Sequence, residues 1–293
     1  MKEKPIILSG RFWRRVEERF FLGLMLFSCG VIFLGLVLIV LDIFIKGLPA
    51  LSWSMISQSP KGGFYLGKGG GILNAIIGSL VLASGASLIA FFLSLPLVLY
   101  LNIYLKRTSG ISAFIRFSLD VLWGVPSIVY GAFGFTIMVF FGLKASLLGG
   151  MIAVSLLIFP IMSRAMDEVM RMVPRELLEA SYSVGTTRFE TGLKIVLRQT
   201  FPGIITAVLI AFGRGIGDAA SVIFTAGYSD YISVSLFRPV ATLPLAIFYQ
   251  LGTPFPEVQD RAYASGLILT VIIISISLVT RFLSKRFHKY IVK

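Results

Sequence analysis

The sequence predicts an all-α integral membrane protein with six transmembrane helices. Three observations lead there. The 293-residue chain is 56% hydrophobic and only 14% charged, against about 25% charged residues in soluble domains. Six apolar runs reach or approach the ~20 residues that a spanning helix needs. The basic residues gather in alternate connecting segments, as they do in cytoplasmic loops.

The six runs are 20–45, 71–104, 111–143, 146–162, 201–228 and 263–283. The second and third are longer than a perpendicular crossing requires; tilt, or extension beyond the bilayer, absorbs the excess. The first run follows a segment that mixes six basic residues with Glu3, Glu17 and Glu18. It is too long for a signal-peptide core and lacks a small-residue cleavage site, so it is read as a span. With the N-terminus inside, segments 1–19, 105–116, 163–200 and 281–293 are cytoplasmic and hold 20 of the 27 Lys and Arg. The outer segments hold six: Lys46, Lys61, Lys68, Lys144, Arg238 and Arg261. The net charge of +13 therefore reports topology rather than nucleic-acid binding.

The chain divides into residues 1–68 (cytoplasmic tail, first span, first outer loop), a core over 69–285, and a basic tail over 286–293. Cys29 is the single cysteine and His288 the single histidine, which excludes a His/Cys metal cluster and an intrachain disulfide. Gly62 to Lys68 fits G-x-x-x-x-G-K, but Gly69 follows where Ser or Thr is needed and no strand precedes it, so it is read as a loop. Outer segment 229–262 has too many prolines for a span and is expected to hold a short helix, at the outer surface or dipping back in.

In the third run, Pro126 removes a backbone donor within the bilayer, and Gly124, Gly131 and Gly134 allow close backbone approach. Broken helices are tolerated where they line a cavity or are buried in protein; a simple packing kink is the other reading. Arg116 and Asp120 are spaced for an i, i+4 pair near the cytoplasmic end of the same span, structural or gating.

The fifth run carries Arg214, Asp218, Ser221 and Thr225. In a helix they fall within about 60° of one another, a polar stripe roughly 16 Å long. A charge near mid-bilayer costs about 2.5–3.5 kcal/mol on insertion scales, so Arg214 should face protein or water, with Asp218 as its partner. Gly213 and Gly217 beside it suit close helix packing. The stripe lining a pathway, and a structural ion pair at a subunit interface, both remain open.

Between the fourth and fifth runs lies a long polar stretch. Pro174 starts a helix that Arg175–Ser183 continues, with Val173, Leu177, Leu178 and Tyr182 on one face. Gly185 ends it. Thr187 and Glu190 then form a capping box that opens a second helix, and Pro202 precedes the next span. This helix–turn–helix presents a face to another protein, or rests on lipid headgroups.

Glu179-Ala180-Ser181-x3-Gly185-x9-Ile195-x-Leu197 resembles the EAA loop, E-A-A-x3-G-x9-I-x-L-P, of ABC importer permeases. Ser181 replaces the second Ala, a small change expected to matter little, and Arg198 replaces the Pro. The resemblance implies a MetI-like permease bundle whose coupling loop (172–200) docks on an ATP-hydrolysing subunit through Glu179, Ala180, Ser181 and Gly185. "GRGIGDAASVIFTAG" (213–227), "GGGILNAIIGSLVLA" (69–83), "GVPSIVYGAFG" (124–134) and "ATLPLAIFYQ" (241–250) resemble phosphate-importer permeases, with the last favouring the PstA type over the PstC type. Asp218 stands where that family has Glu, and Ala219 where it has Thr.

The resemblance implies no catalysis and no cofactor on this chain, with ATP and Mg on the partner ATPase. Implied partners are a PstC-type permease, two PstB-type ATP-binding subunits and an extracytoplasmic phosphate-binding protein. The implied place is a prokaryotic cytoplasmic membrane, with both termini inside. Arg214, Asp218, Ser221, Thr225, Pro126 and Ser127 are the candidate pathway residues. A permease for another oxyanion and a secondary transporter or channel are the alternatives; the latter gives the polar loop no purpose.

Overall fold

The computed structural model describes residues 8–61, 69–106 and 108–287; the P-loop-like 62–68 segment and His288 fall outside them. Every regular element among the described residues is helical. In chain order they are α1 (Leu8–Ala50), α2 (Trp53–Ser57), α3 (Leu73–Leu99, continued by a π-helical turn to Tyr104), α4 (Gly110–Trp123), α5 (Ser127–Phe140) and α6 (Leu147–Arg171). Then follow α7 (Arg175–Ser183), α8 (Arg188–Glu190), a π-helical run Thr191–Val196, α9 (Leu197–Ile216), α10 (Leu243–Leu251) and α11 (Pro256–Phe287). Among the described residues, five helical stretches are long and apolar enough to cross a membrane, and α4 with α5 makes a sixth if the bent pair is one span.

The core is built around α6. Its Val154, Leu157, Ile158, Met162 and Met166 are almost fully buried, and they face small residues: Ala86 and Ala90 on α3, Ala207 and Ala211 on α9. In lipid, helices associate by close van der Waals fit rather than by escape from water, so bulky side chains on one helix need small ones opposite. Glycines on α9 allow close approach to α6: a Cβ at Gly203 would overlap Val169 Cγ1, and one at Gly215 would lie 3.0 Å from Val154 Cγ1. α1 packs on α11 near its C-terminal end, where a Cβ at Gly47 would lie 2.8 Å from the Tyr263 carbonyl oxygen. Its first spanning window is not buried by the rest of the chain.

One open reading is decided and three expectations are corrected. The third run is two helices meeting at 99°, the broken helix rather than the packing kink. Pro126 has no N–H to give and disfavours helical backbone at Val125, and Gly124 caps α4. The fifth helix stops at Ile216, and the chain continues irregularly with turns over 220–226. Asp218 Oδ2 accepts the Ser221 N–H at 2.8 Å, a side-chain bond that replaces the helical ladder. Arg214, Asp218, Ser221 and Thr225 are therefore not a helical stripe. Gly213 has no neighbour within 4 Å and Gly217 only a side-chain contact at 3.6 Å with Ile273, so the close glycine packing lies at Gly215 and Gly203 instead, against α6. Finally, Pro202 does not separate the polar loop from the span: the helix begun at Arg188 continues without a break to Ile216.

Segment 229–262 does hold a short helix, α10, with Leu243, Leu245 and Ala246 fully buried against α3 and α11. The backbone of 225–238 also closes the open end of α6: the N–H groups of Ser146, Leu147 and Leu148 donate to the carbonyls of Thr225, Arg238 and Leu236 at 2.8–2.9 Å. These would otherwise be unsatisfied donors at a helix start.

α5, the second helix of the bent pair, packs on the 220–221 backbone through a glycine contact. A Cβ at Gly131 would lie 2.8 Å from the Ala220 carbonyl oxygen and 2.9 Å from that of Ser221; backbone atoms cannot step aside as a flexible side chain does. Gly131→Ala is expected to cost about 1–3 kcal/mol through overpacking. Gly213→Ala, in open space, is expected to leave stability unchanged or slightly improved. Thermal unfolding of the purified variants checks the contrast.

Candidate functional site

Two places carry chemistry, joined by one helix. The first is the polar hairpin. Pro174 is the N-cap of α7, in extended backbone, so the helix starts one residue later than the sequence suggests. Gly185 has φ +83°, the left-handed turn glycine adopts without strain, and it ends the helix as expected. The capping box forms: Glu190 N–H donates to Thr187 Oγ1 at 3.2 Å, and Thr187 N–H donates to Glu190 Oε2 at 3.0 Å.

Glu179, Ala180 and Gly185 are exposed, together with the apolar side chains of Met172, Tyr182 and Val184. Ser181 is not. It is buried, and its Oγ lies 2.6 Å from Thr186 Oγ1 and 2.9 Å from Thr191 Oγ1. The replacement of Ala by Ser, expected to be of small consequence, thus ties the first helix of the hairpin to the second through three hydroxyls. Leu177 and Leu178 turn the other face of α7 onto the core, beside Val173 just before it.

The second place is the end of α9. Arg214 Nη1 lies 3.5 Å from Asp218 Oδ1, so the expected pair is present although the helix between them has ended. The two ends differ in environment: the Arg214 side chain is 50% exposed and that of Asp218 4%. A guanidinium half open within a spanning segment cannot face hydrocarbon at low cost, so this face of α9 meets protein or water. Ser221 and Thr225 are fully buried, and Thr225 Oγ1 donates to the Ser221 carbonyl at 2.9 Å.

Pro126 forms the elbow and is exposed, with Ser127 half-buried at the start of α5. It is Gly131 and Gly134, further along α5, that meet the Ser221 backbone and the Thr225 methyl. Tyr130 Oη donates to the Leu122 carbonyl at 2.8 Å, bracing the two arms of the bend.

A third cluster was not legible from local spacing. Arg116 does not pair with Asp120. Its Nε and Nη2 donate to Asp167 of α6 at 2.7 and 2.9 Å, a two-pronged pair, and its Nη1 reaches Ser112. Asp120 instead lies 2.7 Å from Arg164 Nε, and Asn102 Nδ2 donates to Asp167 Oδ1 at 2.8 Å. A bidentate arginine across two helices satisfies a buried carboxylate better than one turn of its own helix allows. The available signal was Asn102, a lone amide in an apolar run, with Arg164 and Asp167 one turn apart on α6.

A bundle of apolar helices, a broken span, and an exposed hairpin feeding a charged helix end describe an integral membrane protein of several spans. The chain belongs to the family of binding-protein-dependent transport system inner membrane components, whose model matches residues 94–293. It is 31% identical over 270 residues to the phosphate transport system permease protein PstA of Haemophilus influenzae, covering 92% of this chain and 94% of that one. It is 36% identical over 211 residues to PstA 1 of Mycobacterium tuberculosis, covering 71% and 69%. Among solved structures, a chain of a bacterial alginate ABC transporter matches with TM-score 0.62 and 17% identity over 94% of this chain and 98% of that one. A chain of the inward-facing MetNI methionine ABC transporter matches with TM-score 0.60 and 16% identity over 73% and 95%. These two share the fold, a MetI-like ABC permease bundle.

Proposed function

We propose that this chain is the transmembrane permease subunit of an ATP-driven phosphate importer, one half of a pathway completed by a second permease of the PstC type. The observation that carries the coupling is the unbroken helix from the Thr187 cap to Ile216. It is about 43 Å long and links the exposed hairpin to Arg214. Glu179, Ala180, Ser181 and Gly185 form the coupling element on which a separate PstB-type ATP-binding subunit docks; ATP and Mg belong to that subunit, and this chain hydrolyses nothing. A push on α7 is passed through the Ser181–Thr186–Thr191 hydroxyls to the base of the rod and along it to the charged end. Two ATP-binding subunits serve the pair of permeases, an extracytoplasmic phosphate-binding protein delivers the anion to the outer loops, and both termini lie in the cytoplasm.

The phosphate assignment rests on the relatives' names and on the free side of Arg214. Asp218 holds one side of the guanidinium, while the open side presents donors toward the second subunit. Phosphate oxygens suit that fork, and the carboxylate beside it keeps the cation from holding the anion too tightly. Arg214, Asp218, Ser221, Thr225, Pro126 and Ser127 are assigned to this pathway, the last four as the walls and elbow behind the charged pair. The test is uptake of radiolabelled phosphate into proteoliposomes holding the full complex, with sulfate and molybdate as competitors. Uptake that needs ATP and resists both competitors is expected; uptake suppressed by equimolar sulfate or molybdate overturns the substrate assignment.

A further inference from the structure

At the base of α9 a cavity of about 500 Å³ opens between α7 and the rod, with Leu177, Ile195 and Pro202 as its apolar floor and Lys194 and Arg198 at its rim. The two cations are not equivalent. Lys194 Nζ lies 3.2 Å from Glu190 Oε1. Arg198 is exposed and among the described residues its side chain makes no hydrogen bond or ion pair. It also stands where the EAA pattern has proline, so the cation belongs to this chain and not to the pattern.

Phe201 lines this cavity and also a second one, of about 500 Å³, that continues up the outside of the bundle. The second is a groove between α3 and α9, walled by Leu88, Phe91, Ile205, Val208 and Phe212. From Arg198 to Phe212 the helix rises about 21 Å, against ~15 Å for the hydrocarbon of one leaflet. Arg214 points away from the groove, about 120–160° round α9 from Val208 and Phe212, so the groove is not the face assigned to transport.

We infer that this continuous channel is a binding site for one anionic glycerophospholipid of the cytoplasmic leaflet. The phosphate sits at Arg198 beside Lys194, and an acyl chain lies in the α3–α9 groove. Charge complementarity selects this occupant. A neutral apolar helix would leave Arg198 unpaired, free inorganic phosphate would leave the groove empty, and basic pockets at this level of a bundle take acidic headgroups. The lipid would touch Leu177 of the coupling helix and the base of the rod together, so its occupancy sets how tightly α7 rests on the bundle. This holds whatever ion the transporter carries.

The test uses the full chain in phosphatidylcholine nanodiscs containing a phosphatidylglycerol with a photoreactive acyl chain. Adducts are expected on 84–95 and 201–212. Arg198→Gln should lower their yield about fivefold, the worth of one basic residue at a lipid surface, with Arg198→Lys largely restoring it and Arg238→Gln leaving it unchanged. A photoreactive phosphatidylcholine should label weakly. Equal labelling by the two lipids, or labelling indifferent to Arg198→Gln in a variant that elutes as the wild type, overturns the site. So does loss of labelling when the partner permease is co-assembled, which would make the groove a protein seat. Displacement by millimolar inorganic phosphate would assign Arg198 to the free anion instead.

Discussion

Asp167→Ala is expected to destabilise the subunit by about 3–5 kcal/mol, the usual cost of removing one partner from a buried ion pair. The Asp167 side chain is fully buried, and that of Arg116 is 12% exposed. Deleting the carboxylate leaves a nearly buried guanidinium with only Ser112, and leaves Asn102 Nδ2 with the Val98 carbonyl alone. Arg164 is left with Asp120, whose side chain is half exposed. Asp120→Ala, which breaks the more solvated end of the same cluster, is expected to cost under about 1 kcal/mol. Thermal unfolding in detergent reads the difference, and equal shifts for the two variants would contradict it. The cluster pins α4, the first arm of the bent span, to the last turns of α6. Those turns lead through Met172 and Pro174 into α7, so the same lock holds the polar hairpin in register with the elbow at Pro126.

Arg214→Gln is expected to lower ATP-dependent uptake at least about tenfold, a loss of ~1.4 kcal/mol or more in the rate-limiting step, without loss of folded subunit. The geometry separates this from a purely structural pair. Asp218 is the buried partner and takes the Ser221 N–H as well, so Asp218→Asn should reduce stability. Arg214 is half exposed, and its removal should not. In the double variant Arg214→Gln, Asp218→Asn, charge balance is restored while the anion-facing cation is still absent. Uptake should therefore stay low in the double variant. Recovery of uptake there would make the pair structural and remove Arg214 from the pathway.

The sequence carried the parts of this fold that depend on local chemistry. Apolar length marked the spans, Gly185 and the Thr187–Glu190 box marked the hairpin, and Pro126 marked the break. It failed where a local pattern had a competing solution in space. The 4, 3, 4 spacing from Arg214 to Thr225 imitates a helix, yet Gly217 caps α9 and the Asp218 side chain takes the Ser221 N–H, and together they stop it. The Arg116–Asp120 spacing is a valid intrahelical pair, but periodicity along one helix cannot reveal that α6 offers each residue a better partner. Ser181 read as a small residue because its hydroxyl matters only once Thr191 is folded beside it. Pro202 read as a boundary, yet the tertiary packing of α9 on α6 carries the helix through it.

The central claim is that the exposed hairpin couples a separate ATPase to Arg214 through one rod. Its most direct test is uptake of labelled phosphate by the reconstituted complex with Glu179→Arg in this chain. Glu179 is exposed and makes no side-chain bond among the described residues, so the reversal should leave the subunit folded while repelling a docking surface built for an acid. ATP-dependent uptake should be abolished, with the purified chain eluting and unfolding as the wild type. Uptake that persists at the wild-type rate with Glu179→Arg, or that proceeds equally without ATP, would contradict the account.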